Sequence, residues 1–310
     1  MSGQRDAAGG QDAPGGVKAP VARRVVVPGP PPSLGRTARL SLAACGPDAG
    51  SAVASYGDGR FVAASVMKVN ILLALLLRAQ GALEAPPRRL TERERCRAAE
   101  MITRSDNDAA NALWDAAGGA AGLRAANRLL GPARTEPHPH GRWGLSVTTA
   151  ADQLALLRTL YGPEPGVLAP AARAWVRELM ADVVPGQRWG VGAAADPGTP
   201  YELKNGWLPR TSSGLWVINS VGRVTAHGRP WLLAVLSDGH ASREEGVAAV
   251  EEAARAAVGA LTGRPADPAA RRATGPAARV RPAADAAGQA PWAADAAPPE
   301  RPAAMPPAAG

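Results

Sequence analysis

The sequence contains very little lysine. Of its 35 basic residues only Lys18, Lys68 and Lys204 are lysines, and every other one is arginine. This ratio is expected from a genome whose codon usage favours arginine, alanine, glycine and proline. Under that bias a lysine that supplies only charge would often drift to arginine, which does not release its proton in a protein. The two lysines inside the predicted folded region therefore indicate positions that need an amine.

Cysteine and long apolar runs are also scarce. Cys45 and Cys96 are the only cysteines, and they lack the close spacing of metal ligands. We expect two buried thiols, with one disulfide as the alternative. His138 and His140 share a loop, but without a supporting set of ligands we expect neither a metal nor another cofactor. No run of about 18 apolar residues exists, so no membrane span is expected.

The net charge of +8 is not gathered into one region. It is spread over both ends and the middle, and no basic stripe is present that would follow a phosphate backbone. We therefore expect no nucleic-acid partner and attribute the charge to the arginine-rich composition. No export signal is recognisable, because the valines after Arg23 and Arg24 run directly into a proline-rich segment.

Composition divides the chain into three parts. Residues 1–35 are rich in glycine, alanine and proline, and residues 263–310 are mostly alanine and proline with scattered arginine. Both are predicted to be disordered tails, because they cannot bury enough apolar surface to offset their chain entropy. Residues 36–262 are long enough for one domain with a full core.

The hydrophobic period changes twice within this domain. Two strands come first, then a helical block that begins at Ser65, then three strands that form an antiparallel meander from Tyr201, and finally a helix. Capping side chains are predicted for three of the helices, at Thr91 with Glu94, at Thr149, and at Ser242 with Glu245. The pattern predicts a mixed α/β fold of the α+β type, with an antiparallel sheet flanked by helices and an all-helical second lobe. The seam between the lobes is the natural place for a site.

A serine and a lysine lie one turn apart at the start of the most apolar helix. Ser65 and Lys68 are spaced i, i+3, so they share one helical face. Burial disfavours the charged form of a lysine, and a neutral amine can activate a serine hydroxyl as a nucleophile. The pair is a candidate nucleophile and base. On its own, S-x-x-K is better explained by a helix N-terminal serine and a snorkelling lysine.

Two further motifs follow. Ser105, Asp106 and Asn107 form an SDN break between two helices, where side chains can face a cleft. Lys204 and the Asn-Gly after it begin the meander as KNG. Each also has an ordinary explanation, because Ser, Asp and Asn are common helix caps and a strand lysine is often a solvated edge residue.

In this order, the three motifs resemble those of serine β-lactamases and penicillin-binding proteins, whose class A members carry S-x-x-K, S-D-N and K-T-G. The resemblance extends over most of residues 36–262. It includes TTAADQLALLRTLYG and LKNGWLPR, which are similar to actinobacterial class A-like serine hydrolases. The resemblance implies a β-lactamase/transpeptidase-like fold.

The resemblance also implies a role for each matching residue. Ser65 is the acylated nucleophile, Lys68 helps to remove its proton, and Ser105 relays a proton to the leaving nitrogen. The backbone N–H groups of Ser65 and Trp207 form the oxyanion hole. Substrate binding is implied for Asn107, Lys204, Asn205, Gly206 and Trp207.

Three departures from the family pattern stand out. Asn205 replaces the usual Thr or Ser, although an amide can still donate to a substrate carboxylate. Trp207 is bulky where a small residue is usual, which would narrow the cleft. The resemblance implies a glutamate that activates water for deacylation, and Glu136–Pro137 is its match, but His140 stands where an asparagine is expected. The sequence leaves open whether Glu136 is this base or a solvated loop residue.

Three functions remain in competition. The first is a serine hydrolase that acylates Ser65 and hydrolyses a β-lactam or related amide. The second is a penicillin-binding D,D-peptidase or esterase that deacylates slowly, and the third is a non-catalytic binding module. In the first two the partner is a small β-lactam or a peptidoglycan-like acyl substrate, and we expect a monomer. The family acts outside the cytoplasm, whereas the chain as written would be cytoplasmic, so the compartment is left open.

Overall fold

The computed structural model describes residues 23–31, 33–163 and 166–264. Its strands are β1 Arg24–Val26, β2 Arg39–Cys45, β3 Val53–Tyr56, β4 Phe61–Val62, β5 Val147–Thr148, β6 Glu202–Pro209, β7 Trp216–Ala226 and β8 Arg229–His240. The main layer is a six-stranded sheet in the order β1-β3-β2-β8-β7-β6, and the two short strands β4 and β5 pair separately.

Seven α-helices accompany the sheet in the described part of the chain. They are α1 Met67–Ala79, α2 Glu92–Ala99, α3 Asn107–Ala116, α4 Gly119–Leu130, α5 Ala150–Tyr161, α6 Pro170–Ala181 and α7 Arg243–Thr262. A π-helical turn, Glu100–Arg104, continues α2 towards α3. This layout confirms the predicted α+β class, with strands from both ends of the domain in one sheet and a helical middle.

The sheet separates two apolar cores, because side chains alternate from face to face along each strand. On β8, Leu232, Ala234 and Leu236 belong to the core that contains α1 and α5, with α5 in contact with the strand, whereas Leu233 and Val235 belong to the core on the side of α7. Helix α1 is buried nearly all round, as its composition predicts. Its N-terminal end therefore has a fixed position relative to β6 and β7, which carry the KNG motif and its neighbours.

The prediction that residues 1–35 form a disordered tail is wrong for the last part of this range. Strand β1 lies within residues 1–35 and pairs in parallel with β3. Val27 is 3% exposed, and its N–H donates to the Ser55 carbonyl. Three consecutive valines favour a strand, and the edge of β3 offers unpaired backbone groups and an apolar surface, so a short segment is enough. The rest of the predicted tails, residues 1–22 and 265–310, lies outside the described residues.

Helix ends follow the predicted caps. Thr91 and Glu94 form a reciprocal capping box at the start of α2, and the Thr149 side chain accepts from Asp152 N–H at the start of α5. The Ser242 side chain accepts from the N–H of Glu245 at the start of α7.

The two cysteines are both free, and only one is buried. Cys45 lies in the core strand β2, whereas Cys96 is exposed. The expectation of two buried thiols is therefore wrong for Cys96, because α2 is a charged surface helix in which only Ala98 is buried.

Across the described residues, no helix combines the length and the apolar character that crossing a bilayer requires. The same residues hold no group of three or more His, Cys, Asp or Glu side chains arranged to bind a metal ion.

Candidate active site

Ser65 lies in a tight turn at the N-terminal end of α1. The turn is a 3-10 segment, Ala64–Val66, and Ala64 adopts a φ of +47°, which is uncommon for a residue other than glycine. The surrounding structure holds this turn, because the Asn219 side-chain amide donates to the carbonyls of Val62 and Ala63 at 2.9 and 3.0 Å. Ser65 is thus presented where helix N–H groups and the helix dipole favour negative charge.

Lys68 is fully buried one turn further along. Its Nζ contacts the Ser105 carbonyl at 2.5 Å, the Ser105 hydroxyl at 3.1 Å and Asn107 Oδ1 at 2.8 Å. These bonds join the S-x-x-K and SDN motifs. In the described residues the hydrogen bonds of Lys68 are to the SDN loop and not to Ser65.

Burial is the main reason why the pKa of Lys68 lies well below its ordinary value, with the nearby charge of Lys204 as a second cause and Asp106 acting weakly in the opposite direction. A neutral amine has two hydrogens and one lone pair. The carbonyl of Ser105 and Asn107 Oδ1 can only accept, so they take the two hydrogens. The lone pair then faces the Ser105 hydroxyl, which can donate to it.

Lys204 reaches the same hydroxyl from the sheet. Its Nζ donates to Ser105 Oγ at 3.0 Å and to the Asn205 carbonyl at 2.9 Å. The side chain is 1% exposed, and burial lowers the pKa of Lys204 to about 7. Ser105 Oγ is therefore placed between two amines.

The buried amine of Lys204 should make stability depend on pH. Because the pKa of Lys204 is about 7 in the folded chain and the ordinary lysine value of 10.5 in the unfolded chain, the unfolded chain binds more protons between these values. The free energy of unfolding should therefore rise with pH across this window, by up to about 1.4 kcal/mol per pH unit. Urea titrations from pH 6 to 10 would measure the slope.

Lys204→Met is the matching variant, since methionine has a similar length and no charge. It should remove the contribution of Lys204 to the slope and leave most of that of Lys68, whose pKa is lowered first by burial and only second by the charge of Lys204. An unchanged slope in Lys204→Met would contradict a depressed pKa at this position.

The SDN loop is held in a constrained backbone conformation. Ser105 ends the π-helical turn in a left-handed conformation with a φ of 60°, and the Asp106 side chain then caps α3 by accepting from the N–H of Ala109. Asn107 is the first residue of α3. The predicted caps are real, and they also aim Ser105 and Asn107 at Lys68.

Strand β6 passes very close to the backbone of the Ala64–Val66 turn. A Cβ atom at Gly206 would lie 2.8 Å from the nitrogens of Ser65 and Val66, and 3.0 Å from the Ala63 carbonyl. Only glycine leaves room for this approach. The backbone N–H groups of Ser65 and Trp207 thus belong to two segments in direct contact, as the oxyanion-hole prediction requires. The Trp207 ring packs 5.8 Å from Trp216.

Asn205 is placed differently from the expectation that it donates to a substrate. Its Nδ2 donates to the carbonyls of Gln187 and Trp189 at 2.7 and 2.8 Å, and its Oδ1 accepts from Ser220 Oγ at 2.6 Å. Both amide hydrogens are used within the protein, and the side chain is 1% exposed. In this arrangement Asn205 ties β6 to its neighbours and presents no free donor.

Glu136 is not brought to the amines. Its side chain is 71% exposed, and its carboxylate lies 3.8 Å from Arg60 on the surface. Its backbone pairs with Val147. Exposed pairs of this kind add little to stability.

An indole lies beside Lys68. The Trp143 ring centroid is 5.0 Å from Lys68 Nζ, and its Nε1 donates to Asn111 Oδ1 at 2.8 Å. Trp143, Asn111 and Asn219 were missed by the sequence analysis. An asparagine inside the apolar strand WVINSVG was the one visible signal, for Asn219, whereas nothing near Trp143 or Asn111 indicated a contact across the fold.

A sequence model described as "Beta-lactamase enzyme family" matches residues 86–261, more than half of the chain. The chain belongs to the beta-lactamase enzyme family. The matched range contains Ser105 and Lys204, whereas Ser65 and Lys68 lie just before it. Among curated proteins, no sequence matches the chain.

Solved structures with the beta-lactamase fold cover the chain more widely. A mutant of PBP-A, described as an acyl-enzyme complex with penicillin G, is 23% identical with a TM-score of 0.59, over 74% of this chain and 92% of that one. A class A β-lactamase from Bacteroides cellulosilyticus is 16% identical with a TM-score of 0.61, over 73% and 93%. An ancestral class A β-lactamase is 26% identical with a TM-score of 0.58, over 72% and 95%.

Proposed function

We propose that the protein is an acyl-serine enzyme that opens a β-lactam, or a related activated amide, on Ser65 and then releases the acyl group slowly. The observation that carries the proposal is the buried network in which Lys68 and Lys204 both contact the Ser105 hydroxyl, beside the serine turn. The proposed function combines two of those considered from the sequence. It shares the acylation of Ser65 by a β-lactam with the serine hydrolase, and the slow release of the acyl group with the penicillin-binding enzyme.

Acylation needs a base for the Ser65 hydroxyl. Neutral Lys68 takes this proton as Ser65 Oγ bonds to the carbonyl carbon of the substrate, and for this step its lone pair turns from the Ser105 hydroxyl to Ser65 Oγ. The developing oxyanion is stabilised by the N–H groups of Ser65 and Trp207, the two segments that Gly206 brings together. One such donor is worth about 3–4 kcal/mol in other hydrolases.

The leaving nitrogen then needs a proton as its bond to the carbonyl carbon breaks. Ser105 Oγ donates its hydrogen to this nitrogen and regains one from protonated Lys68, 3.1 Å away. Lys68 returns to its neutral form, and the net proton moves from Ser65 to the nitrogen. Lys204 holds Ser105 in place and supplies positive charge for a substrate carboxylate.

Slow release follows from what surrounds the amines. Deacylation requires a base that activates water, and Glu136 faces Arg60 in solvent. An indole, which cannot act as a base, lies over Lys68. These two observations favour slow release over rapid lactam hydrolysis.

Intact-mass measurement after mixing with penicillin G tests the proposal. We expect a mass increase of one penicillin, mapped to Ser65 by peptide digestion, that persists for many minutes. Ser65→Ala should show no adduct. Rapid hydrolysis of the penicillin without accumulated adduct would instead indicate a true β-lactamase. The absence of an adduct with penicillins, cephalosporins and activated esters would favour the non-catalytic binding module.

A further inference from the structure

We propose that Trp143 is a positioning residue for Lys68, whose indole closes the solvent side of the amine and keeps it against Ser105 and Asn107. The proposal rests on the proposed function only in that Lys68 acts there as the base. Trp143 is 2% exposed and lies in the 3-10 turn Trp143–Leu145, within the loop that connects α4 to α5. Its ring is 5.0 Å from Lys68 Nζ.

One face of α3 fixes both partners. Asn107 contacts Lys68 at 2.8 Å, and Asn111 accepts from Trp143 Nε1 at 2.8 Å. The two asparagines are spaced i, i+4, so their side chains are neighbours on that helix. The amine and the indole are therefore positioned against each other by the same rigid element.

A cavity of about 390 Å³ lies next to the segment that carries Trp143. Its walls are Asn111, Trp114, Asp115, His140, Gly141 and Arg142. Asn111 is the hydrogen-bond partner of the indole, and Arg142 directly precedes Trp143. The cavity therefore lies beside the residues that hold the indole, and the indole in turn packs against Lys68, which is fully buried.

The indole affects the amine in two opposing ways. An aromatic face attracts a cation, which favours the charged form by about 0.5–2 kcal/mol. Exclusion of water disfavours the charged form and can shift the pKa of a buried lysine by several units. Burial is the first cause of the depressed pKa of Lys68. The indole is part of what buries the amine, so we expect exclusion of water to be the larger of its two effects.

Other charged groups around the amine are Lys204 on β6, which lowers its pKa, and Asp106 at the start of α3, which raises it. Asp115, His140 and Arg142 lie in the cavity wall. Removal of the indole would expose Lys68 to water and to the acidic and basic side chains of the cavity wall. We expect its pKa to rise towards the ordinary lysine value.

The scarcity of lysine makes a direct test practical. Protein labelled with carbon-13 at the lysine ε position should give three side-chain signals, which Lys204→Met and Lys68→Met assign. In Trp143→Ala we expect the titration midpoint of Lys68 to rise by at least about one pH unit. Trp143→Phe keeps a ring over the amine and should stay within about 0.3 unit of the wild type.

Trp114→Ala is the matched control. It removes a buried tryptophan from the wall of the same cavity. Among the described residues, the cation–π contact of Lys68 is with Trp143 and not with Trp114. In Trp114→Ala the titration midpoint of Lys68 should not change. Should Trp143→Ala fail to fold, Asn111→Ala releases the indole nitrogen and should shift the midpoint in the same direction by a smaller amount.

A Lys68 midpoint that is unchanged in the folded variant overturns the proposal, as does a shift of equal size in Trp114→Ala. In enzyme that forms the penicillin adduct, the rising limb of the acylation rate against pH should move with the Lys68 midpoint. If the wild type forms no adduct, the proposed function fails, and the lysine signals still decide the role of Trp143.

Discussion

Replacement of Lys68 by methionine is expected to slow acylation of Ser65 by about three orders of magnitude, in the middle of the range for loss of a positioned general base. This corresponds to about 4 kcal/mol in the activation barrier. Methionine fills a similar volume in the core but has no lone pair that can take the Ser65 proton and no hydrogen to return to Ser105. The rate of mass increase under excess penicillin measures the effect, with circular dichroism to confirm the fold.

Lys68→Arg separates charge from proton transfer. Arginine keeps a positive charge at this position but does not release a proton at ordinary pH. We expect it to be about as slow as methionine. A near wild-type rate in Lys68→Arg would mean that the position needs charge alone, and the assignment of Lys68 as the base would be wrong.

The positions that the sequence predicted well are those with strong local signals. The reciprocal capping box at Thr91 and Glu94, the cap at Thr149 and the three-stranded meander all depend on residues near each other in the chain, and all are present. The apolar run after Lys68 predicted a central helix, because only a helix in the core can be apolar on every face.

The site was predictable as motifs but not as a network. Ser105 contacts both Lys68 and Lys204 across separations of 37 and 99 residues, and no spacing rule contains those contacts. Asn205 was assigned to the substrate because it stands inside a motif. The partners of its amide lie on neighbouring segments, so they depend on how the chain folds. In the structure they are Gln187, Trp189 and Ser220.

Trp143 shows the same limit more strongly. An isolated tryptophan in an irregular loop carries no periodicity, so the sequence could not place it over an amine 75 positions earlier in the chain. Glu136 and Trp143 both lie in the loop between α4 and α5. The sequence could not place either residue, for the same reason: the positions of both depend on how this loop folds. How that loop folds decides whether a carboxylate or an indole faces the buried lysine.

The second large effect is expected at Gly206, where Gly206→Ala should slow acylation by about two orders of magnitude, the scale measured for loss of one oxyanion donor. The added Cβ would lie 2.8 Å from two backbone nitrogens, those of Ser65 and Val66. Backbone atoms cannot turn aside as a flexible side chain can, so β6 and the serine turn must separate. The N–H groups of Ser65 and Trp207 then no longer converge on one oxygen.

The matched control is Gly186→Ala, since a Cβ there meets nothing within 4 Å and the glycine has no positive φ. It should leave the acylation rate unchanged. The two variants should be compared for adduct formation and for unfolding in urea, because the forced separation also costs packing energy of about 1–3 kcal/mol. A wild-type acylation rate in folded Gly206→Ala would show that the approach of β6 to Ser65 does not build the oxyanion hole.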